Sequence, residues 1–375
     1  MPKVSVVLPI YNTSVYLREA LDSVTRQTLR DIEIICVNDG STDNSLDIIN
    51  EYAEKDNRII VINKPNGGYG HTMNVGMDAA TGEYLGILET DDFLNLTMYE
   101  DLYALAEQHH LDTVRGSFYR FTRKENGDTQ LRYMVIDRNL GWLDRVFDPG
   151  EDISCMLVQL HNCMGIFRLS FLREHHIRYH ESPGASFQDN GFFWQVQICA
   201  RRAMLLGKPY YYCRRDNPNS SVMDPHKIWA MTREYDLIRS ILQRDLTIWE
   251  KYRGYYWYIR IKNHDLTEKT VAPELKREFI TFISAEYQTA LANGEISPKL
   301  FSVDEWSKLQ FISQNPEEYI QKHILGGQIR DDMMAETTRL KKQLRRVYRA
   351  DWLNRLILWG LKKSARIIRR IVRRP

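Results

Sequence analysis

The chain has 375 residues; 43% are hydrophobic, 27% are charged, and 51 Lys and Arg nearly balance 49 Asp and Glu. This composition excludes a disordered chain, and the length suits two or three structural units. The five cysteines (Cys36, Cys155, Cys163, Cys199 and Cys213) are scattered and form no C-x-x-C pair, which excludes a disulfide scaffold and a zinc ribbon and fits a reducing compartment.

The first hundred residues alternate between strand and helix periods. Val4 to Ile10 is a β-branched run that reads as a buried strand. No basic leader or cleavage site precedes it in this sequence, so no signal peptide is expected. Val15 to Gln27 has helical spacing, Ile32 to Val37 is a second strand, and Leu46 to Ala53 a second helix with Ser41, Thr42 and Asp43 as cap candidates. Arg58 to Ile62 predicts a third strand, Thr72 to Ala80 a helix, Tyr84 to Leu88 a fourth strand and Thr97 to Gln108 a further helix. Strand–helix alternation over short links predicts a mostly parallel, doubly wound α/β sheet flanked by helices.

Thr113 to Glu151 is more mixed, with strand-like runs such as Ser117–Phe121, and predicts an antiparallel extension of that sheet. Beyond Asp224 the pattern becomes amphipathic helix: Ile228–Leu242, Trp249–Lys262, Glu274–Ala292 and Asp304–Ile324. The expected division is an α/β domain over 1–221, a helical domain over 222–338 and a tail over 339–375, with the break near Ser221 to Pro225.

In an open parallel sheet, ligands bind beyond the carboxyl ends of the strands. Pro9-Ile10-Tyr11-Asn12 follow the first strand and Asn38-Asp39-Gly40-Ser41 the second. Asn63-Lys64-Pro65-Asn66-Gly67-Gly68-Tyr69-Gly70 follow the third, and Glu89-Thr90-Asp91-Asp92 the fourth. A ring, an acid, a Gly-rich turn and an acid cluster facing one crevice suit a nucleotide. Closely spaced carboxylates repel one another unless a cation neutralises them, and oxygen ligands suit Mg²⁺ or Mn²⁺. The same residues also fit plainer readings: a turn and helix start for the acids, an Asp-Gly turn at Asp39, and a positive-φ turn at Gly67–Gly70. The Gly-rich turn matches neither GxGxxG nor GxxxxGK[ST]. No HExxH or GxSxG occurs either, which argues against a histidine-bound zinc site and a serine hydrolase.

Val4–Asn12, Val37–Asp43 and Leu88–Asp92 together resemble the N-terminal half of family 2 glycosyltransferases, with their GT-A fold. The resemblance continues through Phe187-Gln188-Asp189-Asn190-Gly191-Phe192 to Arg214–Ser221. It implies a nucleotide-binding half over 1–112 and an acceptor-side half over 113–221. It implies inverting transfer of a sugar from a nucleotide-diphosphate donor, expected to be a UDP-sugar, to a hydroxyl of a glycan or lipid-linked saccharide, as in surface polysaccharide synthesis. Tyr11 would lie against the base and Asp39 would bind it. Pro9, Asn12, Lys64, Gly67, Asn74, Glu89, Thr90 and Asp92 would complete the donor site. Asp91 would hold the Mn²⁺ or Mg²⁺ ion, and Asp189 would be the catalytic base. Arg214 and Ser220 fall in a segment that closes over the diphosphate in relatives.

Two positions depart from the family pattern. Glu89 stands at the first position of the DxD motif, so it reads ExD, and Met73 stands where many relatives have arginine, with His71 or Lys64 as possible substitutes. These departures motivate the alternative of a catalytically silent nucleotide-sugar or glycan binder in an assembly complex. For Asp189 the local pattern Ser186-Phe187-Gln188-Asp189 also fits a capping box.

The charge is unevenly distributed. Arg339–Pro375 holds 14 basic residues and one acid, Asp351, so the tail is +13 and the rest of the chain −11. As a helix, Trp352 to Arg374 would gather Leu353, Leu356, Ile357, Leu361, Ile367, Ile368, Ile371 and Val372 on one side and arginines on the other. That pattern predicts a helix lying in an anionic membrane surface, with a docking helix or charge-driven RNA affinity as alternatives. The expectation is a cytoplasmic protein, peripheral on the inner face of the cell membrane, with no nucleic-acid partner.

Overall fold

The structure is a computed structural model that describes residues 1–325 and Arg339, apart from Glu125, 138–140, 159–160, Ser186 and 219–226. The break expected near Ser221 to Pro225, Ser220 and the Trp352–Arg374 helix therefore lie outside the described residues. The chain divides into two compact units, Met1–Leu275 with Ala290–Ser302, and Lys276–Thr289 with Val303–Pro375.

The first unit is built on a mixed sheet. Strands β1 (Val4–Ile10), β2 (Ile32–Asp39), β3 (Ile59–Lys64) and β4 (Tyr84–Ile87) are parallel, in the order β3-β2-β1-β4. Every residue of β1 and β2 is buried, as expected of a central strand covered on both faces. Edge strand β3 is only partly covered. Helices α1 (Ser14–Thr25), α2 (Ser45–Ala53) and α3 (Tyr69–Ala79) supply the links. Leu17, Ala20, Leu21 and Val24 form the buried stripe of α1. Each buried Leu or Val contributes about 1.5–3 kcal/mol relative to exposure. At the start of α2, Asp43 among the cap candidates takes the Ser45 N–H at 3.0 Å. The chain runs outward from β1 to β3, then returns to place β4 on the other side of β1. The crevice between the ends of β1 and β4 is thus a topological switch point, where ligands of open α/β sheets bind.

Beyond β4 come β5 (Phe93–Leu94), α4 (Met98–His109), β6 (Thr113–Arg123), β7 (Thr129–Met134), β8 (Val146–Phe147), β9 (Gly165–Arg168), α5 (Leu169–Glu174), α6 (Asp189–Cys199) and β10 (Ala203–Arg214). The sheet continues β4-β9-β6-β10-β5. The expected antiparallel extension holds where β9 pairs with β4 and β6, and β7 with β6. It fails where β6 and β10 run parallel over most of their length. The return from β6 to β10 passes through β9, α5 and α6, a crossover that permits a parallel partner. Helices α7 (Ala230–Leu242) and α8 (Leu246–Thr270) belong to this same unit.

The second unit is helical. It includes most of α9 (Lys276–Ala292), with Phe279, Ile280, Ile283 and Tyr287 buried, and α10 (Val303–Gln314). The single helix expected over Asp304–Ile324 is interrupted. Pro316 has no N–H to continue α10 and disfavours helical geometry at Asn315, so a short helix α11 restarts at Pro316–Tyr319. Ser284 Oγ donates to the Ser313 carbonyl at 3.3 Å near the end of α10. All five cysteines are free. Among the described residues no helix is long and apolar enough to cross a membrane.

Candidate active site

The loops after β1 and β2 are tied together at the crevice. Asn12, at φ +52°, accepts the Thr42 N–H at 2.8 Å and donates its own N–H to Ser41 Oγ at 3.1 Å. Tyr11 beside it is 51% exposed, so its ring is open to a partner. Pro9 is buried, and its carbonyl accepts from Thr90 Oγ1 at 3.3 Å, which joins the ends of β1 and β4.

Asp39 ends β2 almost wholly buried. Its carboxylate accepts the Gly67 N–H at 2.7 Å and the Gly68 N–H at 3.0 Å, and pairs with Lys64. The acid therefore shapes the Gly-rich turn that precedes α3. Gly68 takes φ +86°, open to glycine and strained for other residues, and caps the helix without a side chain. His71 Nδ1, in the first turn of α3, is buried without a hydrogen-bond partner among the described residues. Met73 is fully buried in the core. Asn74 is engaged by the segment before α6: it donates to the Tyr179 carbonyl and Glu181 Oε1, each at 2.9 Å, and accepts the Tyr179 N–H at 3.0 Å. These contacts tie that segment to α3.

The acids after β4 sit close together. Glu89 Oε1 accepts from Tyr69 Oη at 2.6 Å. Burial, with Asp91 and Asp189 nearby, pushes its carboxyl up to about 7 despite that hydrogen bond. Burial and then Asp91 hold Asp92 well above the usual carboxylate range, although Asp92 Oδ1 accepts the Arg214 N–H at 2.6 Å. Asp91 is half-buried and accepts from Asn217 Nδ2 at 2.8 Å. Arg214, 6% exposed, donates to the Asp91 carbonyl at 2.7 Å and pairs with Glu19 at 2.6 Å and Asp216 at 3.3 Å. Its guanidinium thus braces the acid loop from behind.

Asp189 opens α6 from the other half of the domain. Burial, and then Glu234, push its carboxyl up to about 6. Asn162 Nδ2 donates to its carbonyl at 2.8 Å, and Asn190 Nδ2 to its carboxylate at 3.2 Å. Phe187, two residues earlier, has φ +66°, a strained conformation for a bulky residue of the kind that clusters at functional sites. The segment leading to Asp189 is tied to the start of α3. Tyr69 N–H donates to the Gly184 carbonyl at 3.1 Å, and Gln188 Nε2 donates to Ser182 Oγ and the Gly184 carbonyl, each at 2.9 Å. Tyr179 stacks on Phe192 at 4.5 Å and meets Tyr69 edge-on at 5.8 Å.

The structure thus brings Glu89, Asp91, Asp92 and Asp189 within electrostatic reach of one another, and Tyr69 of the Asp39-anchored Gly-rich turn reaches Glu89. Tyr69, Asn162, Tyr179 and Glu234 were not singled out from the sequence. Tyr69 stands inside the Gly-rich motif, but nothing local marks Glu234, an acid on an amphipathic helix. The donor set fits a hard cation. The oxygens on offer are carboxylates; burial first, and then Asp91, push Glu89 and Asp92 toward their neutral forms, and a divalent ion would favour their charged forms. Among the described residues no group of three or more His, Cys, Asp or Glu is placed to hold a metal ion by itself, so an ion here would depend on substrate phosphate as well.

Three comparisons place this architecture. The solved structure of S. aureus TarS 1–349 in complex with UDP superposes with a TM-score of 0.53 at 21% identity, covering 85% of this chain and 91% of that one. This likeness shows the GT-A fold. The uncharacterized glycosyltransferase EpsJ of Bacillus subtilis is 45% identical over 120 residues, 32% of this chain and 35% of the relative. The poly(ribitol-phosphate) beta-glucosyltransferase of Bacillus spizizenii is 27% identical over 299 residues, 76% of this chain and 44% of the relative. The chain thus spans less than half the length of either curated relative. The profile described as "Glycosyl transferase family 2" matches residues 5–174, so the sheet-bearing N-terminal part of the chain is similar to glycosyl transferase family 2.

Proposed function

We propose that the chain is an inverting glycosyltransferase that moves a sugar from a UDP-sugar to a hydroxyl of a glycan or lipid-linked saccharide, as in surface polysaccharide synthesis. The observation that carries this reading is the approach of Asp189, from the acceptor-side half, to the Glu89–Asp92 cluster at the end of β4. A single inverting displacement needs one base on the acceptor side and charge stabilisation on the donor side, and the crevice offers both. Curated relatives named as glycosyltransferases and a fold neighbour solved with UDP support the reaction class and the nucleotide.

In this reading Tyr11 stacks on the base, and the Asp39-anchored turn with Lys64 and Gly67 borders the nucleotide. Asp91 would hold Mg²⁺ or Mn²⁺ together with the donor's phosphates, and the ion would stabilise charge on the leaving diphosphate. Asp189 accepts the proton of the attacking hydroxyl, and its raised pKa strengthens it as a base near neutral pH. Arg214 and Asn74 act by holding the acid loop and the Tyr179–Glu181 segment in place. The basic tail would keep the enzyme at an anionic membrane surface, on the cytoplasmic side.

The alternative of a silent nucleotide-sugar binder draws on Glu89, which is hydrogen-bonded to Tyr69 and, at about 7, close to half protonated at neutral pH. Donor class is tested by thermal shift with UDP, GDP and UDP-sugars, each with and without Mn²⁺. A ligand at a hundred times its Kd adds about 2.7 kcal/mol of apparent stability. The expected result is stabilisation by UDP and UDP-sugars that needs Mn²⁺ and is lost in Asp91→Ala. Stabilisation by GDP in preference to UDP would overturn the donor assignment.

A further inference from the structure

The family match ends at residue 174, yet the start of α6 is gripped by two residues of α7. We propose that Tyr235 and Glu234 are positioning residues that fix the Asp189 carboxylate for catalysis, so that the helices after the sheet complete the active site. The proposal rests on Asp189 being the base.

A directed hydrogen-bond chain connects α8 to that carboxylate. Asn263 Nδ2 donates to Tyr235 Oη at 2.8 Å, Tyr235 Oη to Asn190 Oδ1 at 3.2 Å, and Asn190 Nδ2 to the Asp189 carboxylate at 3.2 Å. The direction is set at both ends. Asn190 Nδ2 also meets the Phe187 carbonyl at 3.0 Å, and Asn263 Nδ2 the Ile259 carbonyl at 3.1 Å. A carbonyl only accepts, so each amide must present its NH₂ there. Tyr235 is then left to receive from Asn263 and give to Asn190. It is fully buried, and its own carbonyl accepts from Tyr256 Oη at 3.1 Å.

Glu234 secures the next residue. It is 2% exposed, and its Oε1 accepts the Gly191 N–H at 2.9 Å and faces His180 Nδ1 at 3.0 Å. A Cβ at Gly191 would come within 2.3 Å of that oxygen, so the approach requires glycine. His180 lies in the segment laced to α3. One acid of α7 therefore ties the base-bearing helix to the donor side, while its neighbour orients the base. Orientation matters at this scale: a misplacement of about 1 Å can cost on the order of 100-fold in rate.

The test is UDP release from UDP-glucose and UDP-N-acetylglucosamine with Mn²⁺, using the full chain and the variants Tyr235→Phe, Glu234→Gln, Glu234→Leu and Asp189→Asn. Tyr235→Phe, which removes one oxygen, is expected to lower kcat by about 10- to 100-fold while donor KM stays within about twofold. Glu234→Gln, which keeps an acceptor for Gly191, should retain more of kcat than Glu234→Leu. Unchanged kcat in Tyr235→Phe alongside an inactive Asp189→Asn overturns the positioning role alone. So does a proportionate loss of kcat and donor affinity together, which marks a merely structural role. Wild-type turnover in Asp189→Asn removes the base assignment, and the proposal falls with it.

Discussion

Asp189 and Glu89 titrate at the wrong pH for ordinary carboxyls, about 6 and about 7, because both are buried among other acids. The base must be ionised to work, so kcat/KM should rise about tenfold per pH unit up to about 6 and then level off. A profile flat between pH 4 and 8 would remove Asp189 from that role. Stability should move the opposite way. The unfolded chain releases these protons at the ordinary carboxyl values of 3.8 and 4.5, whereas the fold retains them until about 6 and 7. The fold thus binds more protons in that window, and the stability they contribute, full below about pH 4, is lost as pH rises through it. Glu89→Gln should therefore melt later than wild type above pH 7, by about 1–3 kcal/mol without added metal, with the difference fading at pH 4. Equal melting curves at both pH values would show that Glu89 carries no such strain. The placement of single residues is legible in the sequence where a strand end fixes it, as for Asp39 at the end of β2 and Asp91 just beyond β4. The contacts of Arg214 and Asn74 are not, because their partners, Glu19 and the Tyr179–Glu181 segment, lie far along the chain.

At the scale of elements, the buried strands and the first helices follow directly from hydrophobic period, and β1 matches its expected bounds residue for residue. The parallel pairing of β6 with β10 was hidden, because pairing direction depends on the intervening crossover and not on either strand's own pattern. The apolar spacing of Asp304–Ile324 continues past Pro316 and so suggests one helix, although proline carries the contrary signal. In the proposed reading, the Gly-rich turn before α3 is the element on which donor binding depends. Gly68→Ala would place a Cβ 2.9 Å from the Gly184 nitrogen at φ +86°. It should cost about 1–3 kcal/mol and weaken UDP binding, because the Asp39 carboxylate grips this turn. Calorimetric unfolding together with UDP titration checks both effects, and wild-type values in each would show that the turn tolerates a side chain.

For the whole molecule, a net charge of +2 conceals an acidic body and a tail of +13. The body's acids include the candidate metal and base positions, so the near-neutral sum says little about partners and the division says more. Deleting Trp352–Pro375 should abolish binding to vesicles containing anionic lipid and leave UDP release intact; undiminished binding to those vesicles would defeat the membrane role. The central claim is that one crevice, built from the end of β4 and the start of α6, transfers sugar from a UDP donor. It is tested most directly by UDP release from UDP-sugars with Mn²⁺ in wild type, Asp91→Ala and Asp189→Ala. The account predicts release by wild type and a fall of at least about 100-fold in both variants, with UDP binding retained in Asp189→Ala. Equal release in all three proteins would contradict it.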